Sequence, residues 1–224
     1  TARSETIQIE IDDEYMNGTF LSPKSKVPGV LFVHGWGGSQ ERDLERAKGI
    51  AGLGCVCLTF DLRGHAGTGI PLSRVTREDN LRDLLAAYDR LLSHPAIDTS
   101  AVAVVGTSYG GYLAAILTSL RPVRWLALRV PALYRDQEWL KPKRDLDKGD
   151  LMDYRSTLVH AETNRALHAC AQFTGDVLIV ESETDDHVPH ATIMSYRAAC
   201  QQTHSLTHRI IDGADHSLSD PVSQ

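Results

Sequence analysis

Ser108 is the residue whose setting points most directly to chemistry. It is the centre of Gly106-Thr107-Ser108-Tyr109-Gly110, with the apolar run Ala101-Val102-Ala103-Val104-Val105 before it and a helix-like stretch over 112–120 after it. A serine on a tight strand-to-helix turn projects its hydroxyl above a sheet edge, and glycines two residues to either side leave room for the strained backbone. Ser108 is therefore the candidate nucleophile. A serine hydroxyl attacks poorly at neutral pH, so it needs a base, usually a histidine steered by a carboxylate. Both must come from elsewhere in the chain. Carboxylates gather in Glu181-Ser182-Glu183-Thr184-Asp185-Asp186, after the apolar run Val177-Leu178-Ile179-Val180. Of the ten histidines, only His216 follows a Gly-containing turn after the last predicted strand. Asp185 is the candidate acid, with Asp186, Glu181 and Glu183 as competitors. An attacked carbonyl becomes an oxyanion that needs two donors, and the Tyr109 N–H, next to the nucleophile at a helix start, is one candidate.

These groups can meet only if the elements beneath them bring their loops to one edge. In an open parallel sheet, the loops after the strands' carboxyl ends do gather on one edge. Residues 6–11 alternate apolar and polar, Asp12-Asp13 supply a turn, and 15–21 form a second strand, an antiparallel edge hairpin. A short polar connector over 23–28 leads to Val30-Leu31-Phe32-Val33, a run suited to a strand buried on both faces. It ends at His34-Gly35-Trp36-Gly37-Gly38-Ser39. Ser39 has the chemistry of a helix cap for a helix marked by Leu44, Ala47, Ile50 and Ala51. A strand over 55–60 follows. Thr76 and Asp79 resemble a capping box for a helix whose stripe is Leu81, Leu84, Leu85, Tyr88, Leu91 and Leu92. After the Ser108 turn come a strand over 124–128 and an excursion over 131–154, dense in proline and in balanced charge, read as a solvated cap. A helix pattern through Leu158, Ala161, Ala166, Leu167 and Ala169 precedes the strand over 177–180. A helix over 191–201 and a strand over 206–211 complete the series. Such alternation predicts one α/β domain over residues 1–224, with a mostly parallel central sheet covered by helices on both faces.

Composition removes several other classes of function. The 224 residues are 42% hydrophobic and 23% charged, with a formal net charge of -6, ordinary for a globular chain and without the basic footprint of a nucleic-acid or anionic-membrane partner. No apolar run approaches the roughly 20 residues of a membrane span, and the first residues lack a signal-peptide core, so a cytoplasmic location is expected. Cys55, Cys57, Cys170 and Cys200 are too sparse for a disulfide framework and read as buried free thiols. His187 and His190 lie three apart with Pro189 between them and no evident third ligand, so no metal is expected. No phosphate-cradling glycine motif is present, and no cofactor is expected.

The chain as a whole resembles an α/β-hydrolase. Four features carry the resemblance: His34-Gly35-Trp36-Gly37-Gly38, Gly106-Thr107-Ser108-Tyr109-Gly110, Asp185-Asp186-His187-Val188-Pro189 and Gly213-Ala214-Asp215-His216, in the order nucleophile, acid, histidine. The loop Asp61-Leu62-Arg63-Gly64-His65 is similar to one common in that superfamily. The resemblance is nearest to dienelactone-hydrolase-like and cinnamoyl-esterase-like small serine hydrolases. It selects Asp185 over Asp186 through the D-x-x-V-P pattern, and it implies that the Trp36 N–H is the second oxyanion donor. Two departures stand out: dienelactone hydrolases proper typically carry a cysteine nucleophile, and only residues 217–224 follow His216 where relatives commonly continue into a last helix. The implied activity is cleavage of a small-molecule carboxylic ester through an acyl-enzyme. A thioesterase or small exopeptidase would use the same groups, and a binding protein on a hydrolase scaffold is the reading from another class. Trp36, Tyr134 and Trp139 are candidates for an acyl pocket, the last two reaching in from the cap.

Overall fold

The computed structural model describes residues 3–22 and 26–221, so that residues 23–25 of the expected connector lie outside it. The chain starts with the hairpin β1 (Arg3–Ile11) and β2 (Glu14–Ser22). Ile7, Ile9 and Ile11 are buried while the residues between them face out, as the alternation predicts. The two-residue turn has Asp12 at φ 49° and Asp13 at φ 61°. Both values are positive, which matches the twist of the flanking strands.

The parallel strands follow: β3 (Val27–Val33), β4 (Val56–Phe60), β5 (Ile97–Thr107), β6 (Trp125–Arg129), β7 (Asp176–Ser182) and β8 (Ser205–Ile211). With the hairpin they form one eight-stranded sheet in the order β1-β2-β4-β3-β5-β6-β7-β8, antiparallel only at β1/β2 and β2/β4. α1 (Glu41–Gly52) lies on one face, where Ala47 and Ala51 share a cluster with Val30, Phe32 and Cys57. α2 (Arg77–Leu92), α3 (Tyr109–Leu117), α5 (Arg165–Gln172) and α6 (His190–Ala199) contribute to the larger core on the other face, with Leu31, Val33, Val104, Leu128 and Ile179. This is the mostly parallel, two-faced arrangement that the alternation of elements predicts.

Several boundaries differ from the sequence reading, each for a local reason. The helix-cap position of α1 is Gln40 instead of Ser39; its side chain makes no cap bond, and its N–H donates to Asp61 Oδ1 at 2.8 Å. The pattern over 158–169 does not form one helix. Asn164 is extended and accepts at Oδ1 from the N–H groups of Ala166 and Leu167, so α5 starts only at Arg165. The excursion over 131–154 has structure of its own, a 3-10 turn at Lys143–Asp145 and α4 (Lys148–Arg155), which Asp147 caps by accepting from Asp150 N–H. The capping box at Thr76 and Asp79 forms in both directions. The four cysteines are free thiols.

Candidate active site

β5 ends at Thr107 and α3 begins at Tyr109, leaving Ser108 alone at the junction with φ 53° and ψ -116°. A non-glycine residue in this region is strained and persists only where its surroundings hold it. Here the Ser108 N–H donates to Arg129 O at 2.9 Å, and Ser108 O accepts from Tyr112 N–H at 3.1 Å and Ala132 N–H at 3.0 Å. The flanking glycines are required by close approach. A Cβ on Gly106 would lie 2.5 Å from Gly110 O, and one on Gly110 would overlap the carbonyl oxygens of Val33 and His34.

The carboxyl ends of β7 and β8 bring the other two groups to Ser108. His216 Nε2 lies 3.0 Å from Ser108 Oγ, and its Nδ1 lies 2.7 Å from Asp185 Oδ2. With the proton on Nδ1, the ring donates to Asp185 and accepts from the Ser108 hydroxyl. Asp185 is held from its other side, where Oδ1 accepts from His187 N–H and Val188 N–H, each at 2.8 Å. Burial pushes the Asp185 carboxyl up, but these donors and His216 outweigh it and leave it below the usual carboxylate range. The competing carboxylates are engaged elsewhere. Asp186 is exposed and pairs with His187 Nδ1, Glu181 with His190 and His208, and Glu183 accepts from Gly213 N–H. The His187 ring stacks on His216 at 4.8 Å, and Asp185, His187 and His216 offer ligand atoms within 4.8 Å of one another. His190, three residues from His187 in the chain, is not part of this grouping and bonds Glu181 instead; two of the three members already belong to the Ser108 relay.

The loop after β3 lies beside Ser108, and a Cβ on Gly35 would sit 3.4 Å from Ser108 Cβ. Two buried histidines brace that loop. His34 Nε2 accepts from Leu62 N–H at 3.0 Å, and His65 Nε2 accepts from Gly37 N–H at 2.9 Å. Burial lowers the pKa of both rings, that of His65 to about 4, with His34 adding to the effect, so both stay neutral and able to accept. Among the described residues, the N–H groups of Trp36 and Tyr109 meet no acceptor. His65 was not singled out from the sequence, although its loop was; the signal is a second histidine 31 residues after His34 in a glycine-bounded turn.

A cavity of about 550 Å³ opens over Ser108 and His216, lined on one side by Trp36 and on another by Arg42, Arg46 and Arg129. Tyr134 and Trp139, expected to reach into such a pocket, do not line it. Tyr134 is buried, and Lys143 sits against it, Trp36 and Tyr109, with Nζ 4.1 Å from the Trp36 ring centre and 5.1 Å from each tyrosine. Trp139 donates its indole N–H to Glu78 and lies between the guanidinium groups of Arg77 and Arg165. The aromatics are thus matched by the protein's own cations. Arg129 escaped the sequence reading because it looks like the polar end of a strand.

A serine on a strand-to-helix turn, followed in chain order by an acidic and a histidine loop on a mostly parallel sheet, is the arrangement of the α/β-hydrolase fold, and this chain has that fold. More narrowly, the chain belongs to the prolyl oligopeptidase family, whose sequence pattern matches residues 43–224. It is 28% identical over 196 residues to the uncharacterized protein Rv2307c of Mycobacterium tuberculosis, covering 85% of this chain but 63% of that protein. Among solved structures, Est1E from Butyrivibrio proteoclasticus with bound ferulic acid superposes with a TM-score of 0.73 at 20% identity, covering 96% of this chain and 93% of that one. The acylaminoacyl peptidase of Pyrococcus horikoshii reaches a TM-score of 0.75 at 17% identity, over all of this chain and 39% of that one. No helix among the described residues is long and apolar enough to cross a membrane.

Proposed function

We propose that this chain is a serine hydrolase that cleaves small carboxylic esters through an acyl-enzyme. The observation that carries the reading is the continuous hydrogen-bonded path from Ser108 Oγ through His216 to Asp185. On attack, the Ser108 hydroxyl proton passes to His216 Nε2 while Oγ bonds to the ester carbon. Asp185 stabilises the imidazolium through Nδ1–H. The amides of Trp36 and Tyr109 hold the carbonyl oxygen as its negative charge grows. Collapse expels the alcohol, which takes the proton from His216, and water then resolves the acyl-enzyme by the same route.

Membership of the prolyl oligopeptidase family favours a second reading, an amide leaving group on the same machinery. Both readings require a reactive Ser108. A neutral fluorophosphonate probe should label the protein, and Ser108→Ala should abolish both labelling and turnover of p-nitrophenyl butyrate while leaving the circular dichroism spectrum intact. Rates on matched ester, thioester and aminoacyl-amide panels then choose between leaving groups. Absence of labelling in the unaltered protein would move the chain to the class of binding proteins on a hydrolase scaffold.

A further inference from the structure

The cavity above Ser108 has an uneven charge. Arg129 stands at the carboxyl end of β6, where its partner in register on β5 is Thr107, the residue before the nucleophile. Arg42 and Arg46 are one helical turn apart on the first turns of α1, and all three arginines line the cavity that Ser108 and His216 line. Two acidic residues, Glu41 and Asp43, also line it. Asp43 takes up only part of the charge: it pairs with Arg46 at 3.4 Å, and its Oδ2 is buried without a hydrogen-bond partner.

The other two guanidinium groups have no carboxylate partner among the described residues. Arg129 donates to His216 O at 2.6 Å and Arg42 donates to Ser217 O at 2.6 Å, both backbone carbonyls, while Arg129 Nε is buried with no hydrogen-bond partner among the described residues. Burial, and after it the positive charges of Arg46 and Arg42, lower the pKa of Arg129 to about 10 against the opposing pull of the Asp185 and Asp215 carboxylates, neither of which bonds it directly. The carboxylates around the cavity leave Arg42 and Arg129 without a directly bonded acid, and guanidinium groups bind planar or tetrahedral oxyanions with paired hydrogen bonds.

We propose that Arg42, Arg46 and Arg129 form an oxyanion-binding subsite of the Ser108 cavity, so that the preferred substrate is an ester bearing a second, anionic group, a carboxylate or a phosphate. This rests on the serine hydrolase reading above. Because Arg42 and Arg129 also hold the carbonyls of Ser217 and His216, an anion bound between them presses on the loop that carries the base. Occupancy of the subsite and the position of the His216 ring are thereby linked.

The test compares kcat/KM for three p-nitrophenyl esters of similar length: the neutral butyrate, the glutarate half-ester and the 4-phosphonobutyrate. The expected result is a preference of about tenfold or more for an anionic ester, weakened by added salt. Whichever anionic ester is faster distinguishes carboxylate from phosphate. Arg129→Met should lower the ratio of anionic to neutral rates about tenfold, mainly through KM. Arg42→Gln, at the exposed residue of the cluster, should lower it in the same direction and serves where Arg129→Met fails to fold. A ratio near one in the unaltered protein, or one that neither substitution moves, overturns the subsite while butyrate turnover leaves the hydrolase reading standing. If Ser108 takes no fluorophosphonate label and none of the esters is cleaved, the hydrolase reading and this inference fall together.

Discussion

His65 lies outside the Ser108–His216–Asp185 relay, yet it holds the amide next to one of the two proposed oxyanion donors. Its Nε2 accepts from Gly37 N–H, and only a neutral ring can do so. The pKa of about 4, against an ordinary 6.5, sets the sign of the pH effect. Above pH 6.5 both folded and unfolded rings are neutral. Between about 6.5 and 4 the unfolded ring binds a proton that the folded one excludes, so stability is lost as pH falls, by on the order of 3 kcal/mol across the window. Asp43 and Asp83, raised by burial to about 6, act in the opposite direction, so the effect is read as a difference between two proteins. His65→Phe should remove this component from urea-unfolding curves taken at pH 4 and pH 7. With the loop no longer braced, it should also lower ester turnover about ten- to a hundredfold, short of the loss expected for Ser108→Ala.

At the scale of elements, the turn between β5 and α3 admits almost no variation. A methyl group on Gly110 would enter the space of two carbonyl oxygens at the end of β3, and neither backbone can yield without moving Gly35 and Trp36. Gly110→Ala should therefore destabilise the fold by about 3 kcal/mol, the upper end for overpacking, with a matching fall in the denaturation midpoint. This turn was legible in the sequence because its physical demands are local: a strand, two glycines, a serine and a helix in fixed succession. So were the hairpin at Asp12-Asp13, where two short acidic residues accept positive φ, and the cap at Thr76. The break at Asn164 was not, because a helical stripe in Leu158, Ala161 and Ala166 gives no warning that an asparagine between them turns its side chain onto the backbone. Nor was the fate of Tyr134 and Trp139. Their character as pocket residues depended on Lys143, Arg77 and Arg165, which reach them only through tertiary folding.

Across the whole molecule, the elements that position the site are tied by buried cations that span distant segments. Arg63, in the loop after β4, reaches the hairpin turn through Asp12 and Glu14, and α2 through Asp83 and the carbonyl of Asp79. Its side chain is 4% exposed and that of Asp83 is fully buried, so removing the cation leaves a desolvated carboxylate without its partner. Arg63→Met should cost about 3–5 kcal/mol by urea denaturation, far more than an exposed pair such as Arg135 with Asp150. Arg155 does similar service between the cap and the loop that holds Asp185, donating to Leu133 O and His187 O. Lys143, only half-buried, adds a cation of another kind: Trp36, a wall of its aromatic box, is also a wall of the Ser108 cavity. The ammonium is a resident guest on a short tether. Under the proposed ester-cleaving reading, an acyl chain long enough to push past the indole would have to evict it into water, forfeiting its attraction to three rings, so on that side a charge and not bulk would meter chain length.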